Sequence, residues 1–376
     1  MKENVIKQVP VQERIYGLDI IRILSMYFVM LLHILLNGGI LEAQAFTQLN
    51  TQLVACLYFL GVVAVNLFAL LSGYLGINSC FKRRRIIELW LQVLFYSWLC
   101  LWGMIISQRD LGLMEIVKAL FPTVFQQYWY FNAYLGVCFL APLLKPGLKQ
   151  LSQASFLKII LAGLFLFSVL GSIPGSDRYG LAGGYSVLWL LMMYLVGAYL
   201  KLHGYPHLKN VVYLGIYFLA SLANLLISDS LSWVKVRFLH GDDKLFLGVV
   251  IAYTNPLLVL EAVCLFIWLL RFPIKSLWLQ KSLLSLSPLS FGAYLLQTNP
   301  FVYTIITGAY TRLSIMKPWW LVLAVLGLAI LWLLAGCLLD YVRNLIFRKL
   351  KIVEHCDNLF SHFFHYLAVN LKEIKK

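Results

Sequence analysis

Apolar residues in this chain fall into long blocks separated by short polar segments. Ten blocks stand out, at 18–41, 52–77, 86–107, 128–145, 156–175, 184–203, 208–228, 245–271, 283–308 and 318–342. Each is near or above the ~20 residues that a helix needs to cross a bilayer. The pattern predicts an all-α integral membrane protein of about ten transmembrane helices. Tryptophan and tyrosine gather near block ends, as at Tyr128, Trp129 and Tyr130 or Trp319 and Trp320, where amphipathic rings suit the headgroup level. Beyond Arg348 the pattern changes. Ile352, Val353, Leu359, Phe360, Phe363, Phe364, Leu367 and Leu371 recur at helical spacing among polar residues, which predicts an amphipathic C-terminal helix on the membrane face. The chain thus divides into a tail at 1–17, a membrane domain at 18–348 and an amphipathic tail at 349–376.

Composition agrees with this division. The 376 residues are 61% hydrophobic and only 12% charged, against about a quarter charged in soluble domains. A net charge of +15 would suit nucleic acid in a soluble protein. Here the cations sit between apolar blocks, so the partner they imply is the lipid bilayer, and no nucleic-acid partner is expected. If the N-terminus is inside, the inward segments hold 22 Lys and Arg and the outward ones 8. That bias places both termini in the cytoplasm. The first block is too long for the core of a cleavable signal peptide. The seven cysteines form no CxxC pair and mostly lie within blocks, so they read as small apolar residues.

Polar groups inside such blocks need a reason. The first block carries Asp19, Arg22 and His33. Arg22 and His33 are eleven residues apart, which returns almost to the same helix face roughly 16 Å along the axis. Alone, Arg22 could be a snorkelling anchor and His33 a satisfied structural histidine; sharing one face, they point to function. Asp19 lies one turn from Arg22 and is placed to orient it. Glu261 is an acid/base candidate or a structural partner for an arginine. Asn66, Asn224 and Asn299 suit interhelical hydrogen bonds. Ser72 and Gly73 are expected to end the second span in a turn that lets the backbone bend or helices approach. The run Lys82, Arg83, Arg84, Arg85 is a stop signal at the cytoplasmic face and a cationic site for phosphates. His203 with His207, and His362 with His365, have ligand-like spacing but no second pair nearby, so no metal site is expected. There is no phosphate-binding glycine loop, GxSxG or HExxH segment.

Several ordered segments resemble the acyltransferase-3 family of bacterial integral-membrane O-acyltransferases. The opening GLDIIRILSMYFVMLLH carries the family's arginine and, eleven residues on, its histidine, here Arg22 and His33. LFALLSGYL at 67–75 with the basic turn KRRR, YWYFNAYLGVCFLAPLL at 128–144, MMYLVGAYL at 192–200 and SFGAYLLQTNP at 290–300 are similar to later family motifs. In the last of these the family commonly has a histidine where this chain has Gln297. Glutamine hydrogen-bonds but does not exchange a proton near neutral pH, so acid/base work falls on His33.

The resemblance implies transfer of an acyl group, usually acetyl, from acetyl-CoA or another acyl-CoA to a hydroxyl of a cell-surface polysaccharide or its lipid-linked precursor. The acyl-CoA is a co-substrate, and no bound cofactor is implied. His33 would be the base. Arg22, Lys82, Arg83 and Arg85 would meet the donor. Asp19, Ser72, Trp129, Glu261 and Tyr294 would support them. The implied location is the bacterial cell membrane, with several passes, and a homodimer or a membrane partner protein is left open. By their residues alone, the spans would also serve a transporter or flippase for a lipid-linked sugar or small solute. No internal repeat of the kind common in such folds is present. A glycan polymerase or ligase is a third reading, though the longest outward loop, about 229–244, is short for one.

Overall fold

The structure is a computed structural model that describes the backbone of residues 14–80, 82–173 and 177–373, with side chains as far as residue 362. Lys2 and Lys7 of the N-terminal tail lie outside the described residues, as do the side chains of Phe363, Phe364, Leu367 and Leu371.

Among the described residues fifteen α-helices follow one another and there is no strand. Helix α1 (Gly17–Leu35) comes first. Helices α2 (Leu49–Gly61) and α3 (Ala64–Gly76) form one helical stretch with a break at Val62 and Val63. Helix α4 (Arg83–Ile106) follows, and α5 (Leu113–Leu120) is a short helix after it. Next come α6 (Trp129–Gln150), α7 (Gln153–Leu164), α8 (Val187–His203) and α9 (Asn210–Phe238). The chain continues through α10 (Pro256–Leu270), α11 (Leu277–Leu286), α12 (Phe291–Gln297), α13 (Pro300–Ile306), α14 (Pro318–Lys349) and α15 (Ile352–Glu373).

Eight helical stretches among the described residues are long and apolar enough to cross a membrane, the α2–α3 pair counting as one. Val187–His203 is apolar but shorter. The block at 283–308 is not one rod. It resolves into α11, α12 and α13, with Pro300 starting the last of them and the Asn299 side chain capping the Phe301 amide. The same Asn–Pro start recurs at Asn255 and Pro256 of α10, since proline lacks the amide that a first turn leaves unpaired. Pro142 and Pro146 sit inside α6, where neighbouring helices tolerate them.

The interior and surface are arranged for lipid. Leu219, Leu331, Leu338, Phe139 and Leu161 face outward, while Asn66, Gln92, Asn224, Glu261, Gln297, Asn299 and Asp340 are buried. The buried amides tie helices together, in keeping with their expected role. Asn66 donates to the Tyr253 carbonyl and accepts from the Trp189 indole. Asn299 donates to the Tyr128 hydroxyl.

Ser72 and Gly73 do not end the second span. Helix α3 runs on to Gly76, and Gly73 instead allows close approach. A Cβ there would lie 2.0 Å from the Tyr194 carbonyl oxygen of α8, and one on Gly197 would lie 2.1 Å from that of Leu70. These reciprocal gaps let the two backbones touch, as small residues do between membrane helices.

Hydrogen bonds and ion pairs group the helix ends on two faces. On one, Arg22 meets Ser287, Lys145 meets the Ser79 carbonyl, and Arg83 meets Asp357. On the other, the 37–50 segment bonds to residues 243, 308, 310 and 314. Helix α15 lies along α4. Its Ile352, Val353 and Phe360 pack on Ile87, Leu91 and Phe347, while Leu359 is exposed.

Candidate active site

Helix α1 carries the two residues on which the sequence reading turned, and both face cavities. Arg22 lies toward the basic face, and its Nη1 donates to the Ser287 hydroxyl at 2.8 Å. It is also 3.8 Å from Asp19, whose carboxylate accepts from Arg14 at 3.1 Å. Asp19 is buried and so holds two guanidinium groups near the start of α1.

A cavity of about 580 Å³ opens beside Arg22, with Arg85, Arg343 and Arg348 also in its wall and Glu88 as its one acid among the described residues. Ser72, Gly76, Ser79 and Arg85 belong equally to a second lobe of about 200 Å³ that Lys82 and Lys145 also line. Four arginines in a partly enclosed site form a field suited to an anion.

His33 lies in the other half. With Asn37, Gln127, Trp129, Tyr185, Tyr253, Tyr294 and Tyr303 it lines a cavity of about 400 Å³ whose wall, among the described residues, contains no Asp, Glu, Lys or Arg. The Nδ1 of His33 is 3.0 Å from Oε1 of Gln297, whose amide nitrogen faces the Met30 carbonyl at 3.5 Å. An amide oxygen only accepts, so in this orientation Nδ1 carries the hydrogen and Nε2 keeps its lone pair. Gln297, the departure from the family motif, is thus the partner that sets the histidine tautomer.

The two cavities meet at Phe68 and Tyr130, which line both. Their rings touch edge to face, with centroids 5.6 Å apart. Tyr294 fixes Tyr130 from behind, its hydroxyl accepting from the Tyr130 amide at 3.2 Å. The Tyr130 hydroxyl itself is buried beside the Ser72 side chain and makes no hydrogen bond of good geometry among the described residues. Such a group costs about 1–3 kcal/mol unless something satisfies it.

The remaining sequence candidates divide. Ser72 lines both basic lobes, its hydroxyl returned to the Phe68 carbonyl at 2.9 Å. Trp129 and Tyr294 line the His33 cavity. Lys82 and Arg85 face the basic lobes, but Arg83 does not. It is held by Asp357 of α15 at 2.7 Å, because consecutive residues on a helix point about 100° apart. Glu261 lines none of these cavities; it accepts from Asn224 of α9 at 2.7 Å. Among the described residues no cluster of His, Cys, Asp or Glu could hold a metal ion.

The sequence reading missed Arg343, Arg348, Phe68 and Tyr253, and gave Tyr130 no role beyond an interfacial anchor in a quoted motif. Arg343 was hidden in the positive tail count, where it looked like any cytoplasmic cation. Its one signal is Asp340 three residues earlier.

A family model described as an acyltransferase domain matches residues 15–337. That range takes in Arg22, His33, Tyr130 and Gln297 and stops short of Arg343. The searches of curated proteins and of solved structures give no match.

Proposed function

Because the chain belongs to the acyltransferase-3 family, we propose that this membrane acyltransferase moves an acyl group, acetyl in the simplest case, from cytoplasmic acyl-CoA to a hydroxyl on a cell-surface polysaccharide or its lipid-linked precursor. In this reading it is a multi-pass protein of the bacterial cell membrane with its basic face inward.

The observation that carries the reading is the pair of cavities meeting at Phe68 and Tyr130. One offers arginines to a polyanionic donor on the side where acyl-CoA is made. The other offers an imidazole to an acceptor on the far side. The thioester end of the donor, with its phosphates held by Arg22, Lys82 and Arg85, reaches the junction. Nε2 of His33 takes the proton from the acceptor hydroxyl as its oxygen bonds to the thioester carbon. The carbon–sulfur bond then breaks, and the departing thiolate receives that proton from His33. The Tyr130 hydroxyl, beside Ser72 at the junction, donates to the carbonyl oxygen as negative charge develops on it.

Purified protein in detergent, supplied with acetyl-labelled acetyl-CoA and crude cell-envelope glycan, tests the reading. Label should appear in the glycan as an alkali-labile ester, and His33→Ala should abolish it. Label in the glycan at wild-type level from a well-inserted His33→Ala protein removes His33 as the base. Substrate-dependent uptake into vesicles without covalent label would make the protein a transporter instead.

A further inference from the structure

Helix α14 contributes a group that the donor site, as described above, does not use. Arg343 lies beyond the matched family segment, only 3% exposed, and in the wall of the Arg22 cavity. Its guanidinium is fixed on one edge. Nε donates to Asp340 Oδ1 at 2.7 Å and Nη2 to Oδ2 at 3.1 Å. Gln92 of α4 donates to the same carboxylate at 2.8 Å, and the guanidinium carbon lies 5.0 Å from the centre of the Phe347 ring. Both hydrogen bonds of the guanidinium thus fall on its Nε edge, and Nη1 is buried with no hydrogen-bond partner among the described residues.

A structural ion pair would need only the two bonds to Asp340. Leaving the third nitrogen dry and unpaired is costly, unless a ligand acceptor meets it. The surroundings indicate the sign of that ligand. Arg343 also lines an outer recess with Arg84, Arg348, Lys351, Glu88 and Glu354. The two glutamates are fewer than the cations, and Glu354 is paired with Arg84 at 3.2 Å. Arg343 therefore stands where the inner cavity passes into its cationic mouth. A pre-oriented guanidinium is well matched to phosphate oxygens and poorly replaced by lysine.

We propose that Arg343, with Arg348 beside it, forms a phosphate-binding subsite on α14 that holds a phosphate group of the acyl donor. Asp340 is the positioning residue that presents Nη1 to it. The proposal rests on the donor reading above.

Titration of the full-length protein in dodecyl maltoside with CoA and with pantetheine, which lacks the nucleotide phosphates, tests this without turnover. Arg343→Lys and the exposed-side variant Arg348→Gln should each weaken CoA binding roughly tenfold, the scale of one charge-assisted hydrogen bond. Both should leave pantetheine binding unchanged. Unchanged CoA affinity in Arg348→Gln and Arg343→Lys overturns the proposal. So does an equal loss for CoA and pantetheine, which would mark a structural role. A deficit seen only in phosphatidylglycerol nanodiscs would assign the subsite to a lipid headgroup and also overturn it. If CoA binds as expected but no label reaches any glycan, the acyl-transfer reading fails while the phosphate subsite stands.

Discussion

Gln297→Leu is the substitution that most directly separates orientation of the base from binding of the donor. Gln297 is fully buried and accepts from Nδ1 of His33 at 3.0 Å, yet it lines none of the cavities. Leucine fills nearly the same volume and accepts nothing. The Nδ1 hydrogen is then left without a partner, and the ring is free to turn or to move its proton to Nε2, the atom needed as base. An unmade buried hydrogen bond costs about 1–3 kcal/mol, so kcat should fall ~5- to 150-fold. The KM for acetyl-CoA should not move, because Gln297 touches no cation of the basic cavity. Gln297→Glu restores an acceptor oxygen at the same reach and should recover most of the lost rate. The assay is the initial rate of label transfer to envelope glycan over a range of acetyl-CoA concentrations. A Gln297→Leu enzyme within about twofold of wild type, well below the loss that one buried hydrogen bond predicts, would refute the tautomer argument. A loss confined to KM would refute it equally.

Three further outcomes follow from the same geometry. Arg85→Ala should raise the KM for acetyl-CoA several-fold while Arg83→Ala leaves it unchanged, because Asp357 turns Arg83 away from the cavity; steady-state kinetics on the two variants distinguishes them. Tyr130→Phe removes a buried hydroxyl whose contact with Ser72 is a weak one, so thermal unfolding should shift little while kcat drops about tenfold; a lower midpoint with unchanged kcat would make the hydroxyl structural. Gly73→Leu drives a side chain into the Tyr194 carbonyl of α8 and should destabilise by at least about 1–3 kcal/mol, seen as loss of monodisperse protein on size-exclusion chromatography, whereas Gly103→Ala, with open space around its Cβ position, should behave as wild type.

Much of this protein was legible in its residues because the relevant signals are local. A block of ~20 apolar residues must satisfy its own backbone hydrogen bonds and so becomes a helix in lipid. The sorting of Lys and Arg between alternate segments is also written along the chain. The eleven-residue interval from Arg22 to His33 placed both on one face of α1, and the structure finds both facing cavities. Local signals fail where helices distant in sequence meet. Hydropathy read 283–308 as one span because α11, α12 and α13 are all apolar, and Asn299 with Pro300 breaks the rod only by capping a new start. Periodicity could not tell Arg85 from Arg83, since that choice depends on where Asp357 of α15 lies. The amide that fixes His33 stands 264 residues away, and Arg343 reaches the donor cavity only because α14 packs beside α4 and α12. The sequence by itself therefore determined the membrane class, the all-helical character and the face of α1 that carries Arg22 and His33. The tertiary structure alone decided which cations enter the cavity, where the two cavities meet and which nitrogen of His33 is free. Those depend on packing between helices, and no stretch of chain one helix long contains that information.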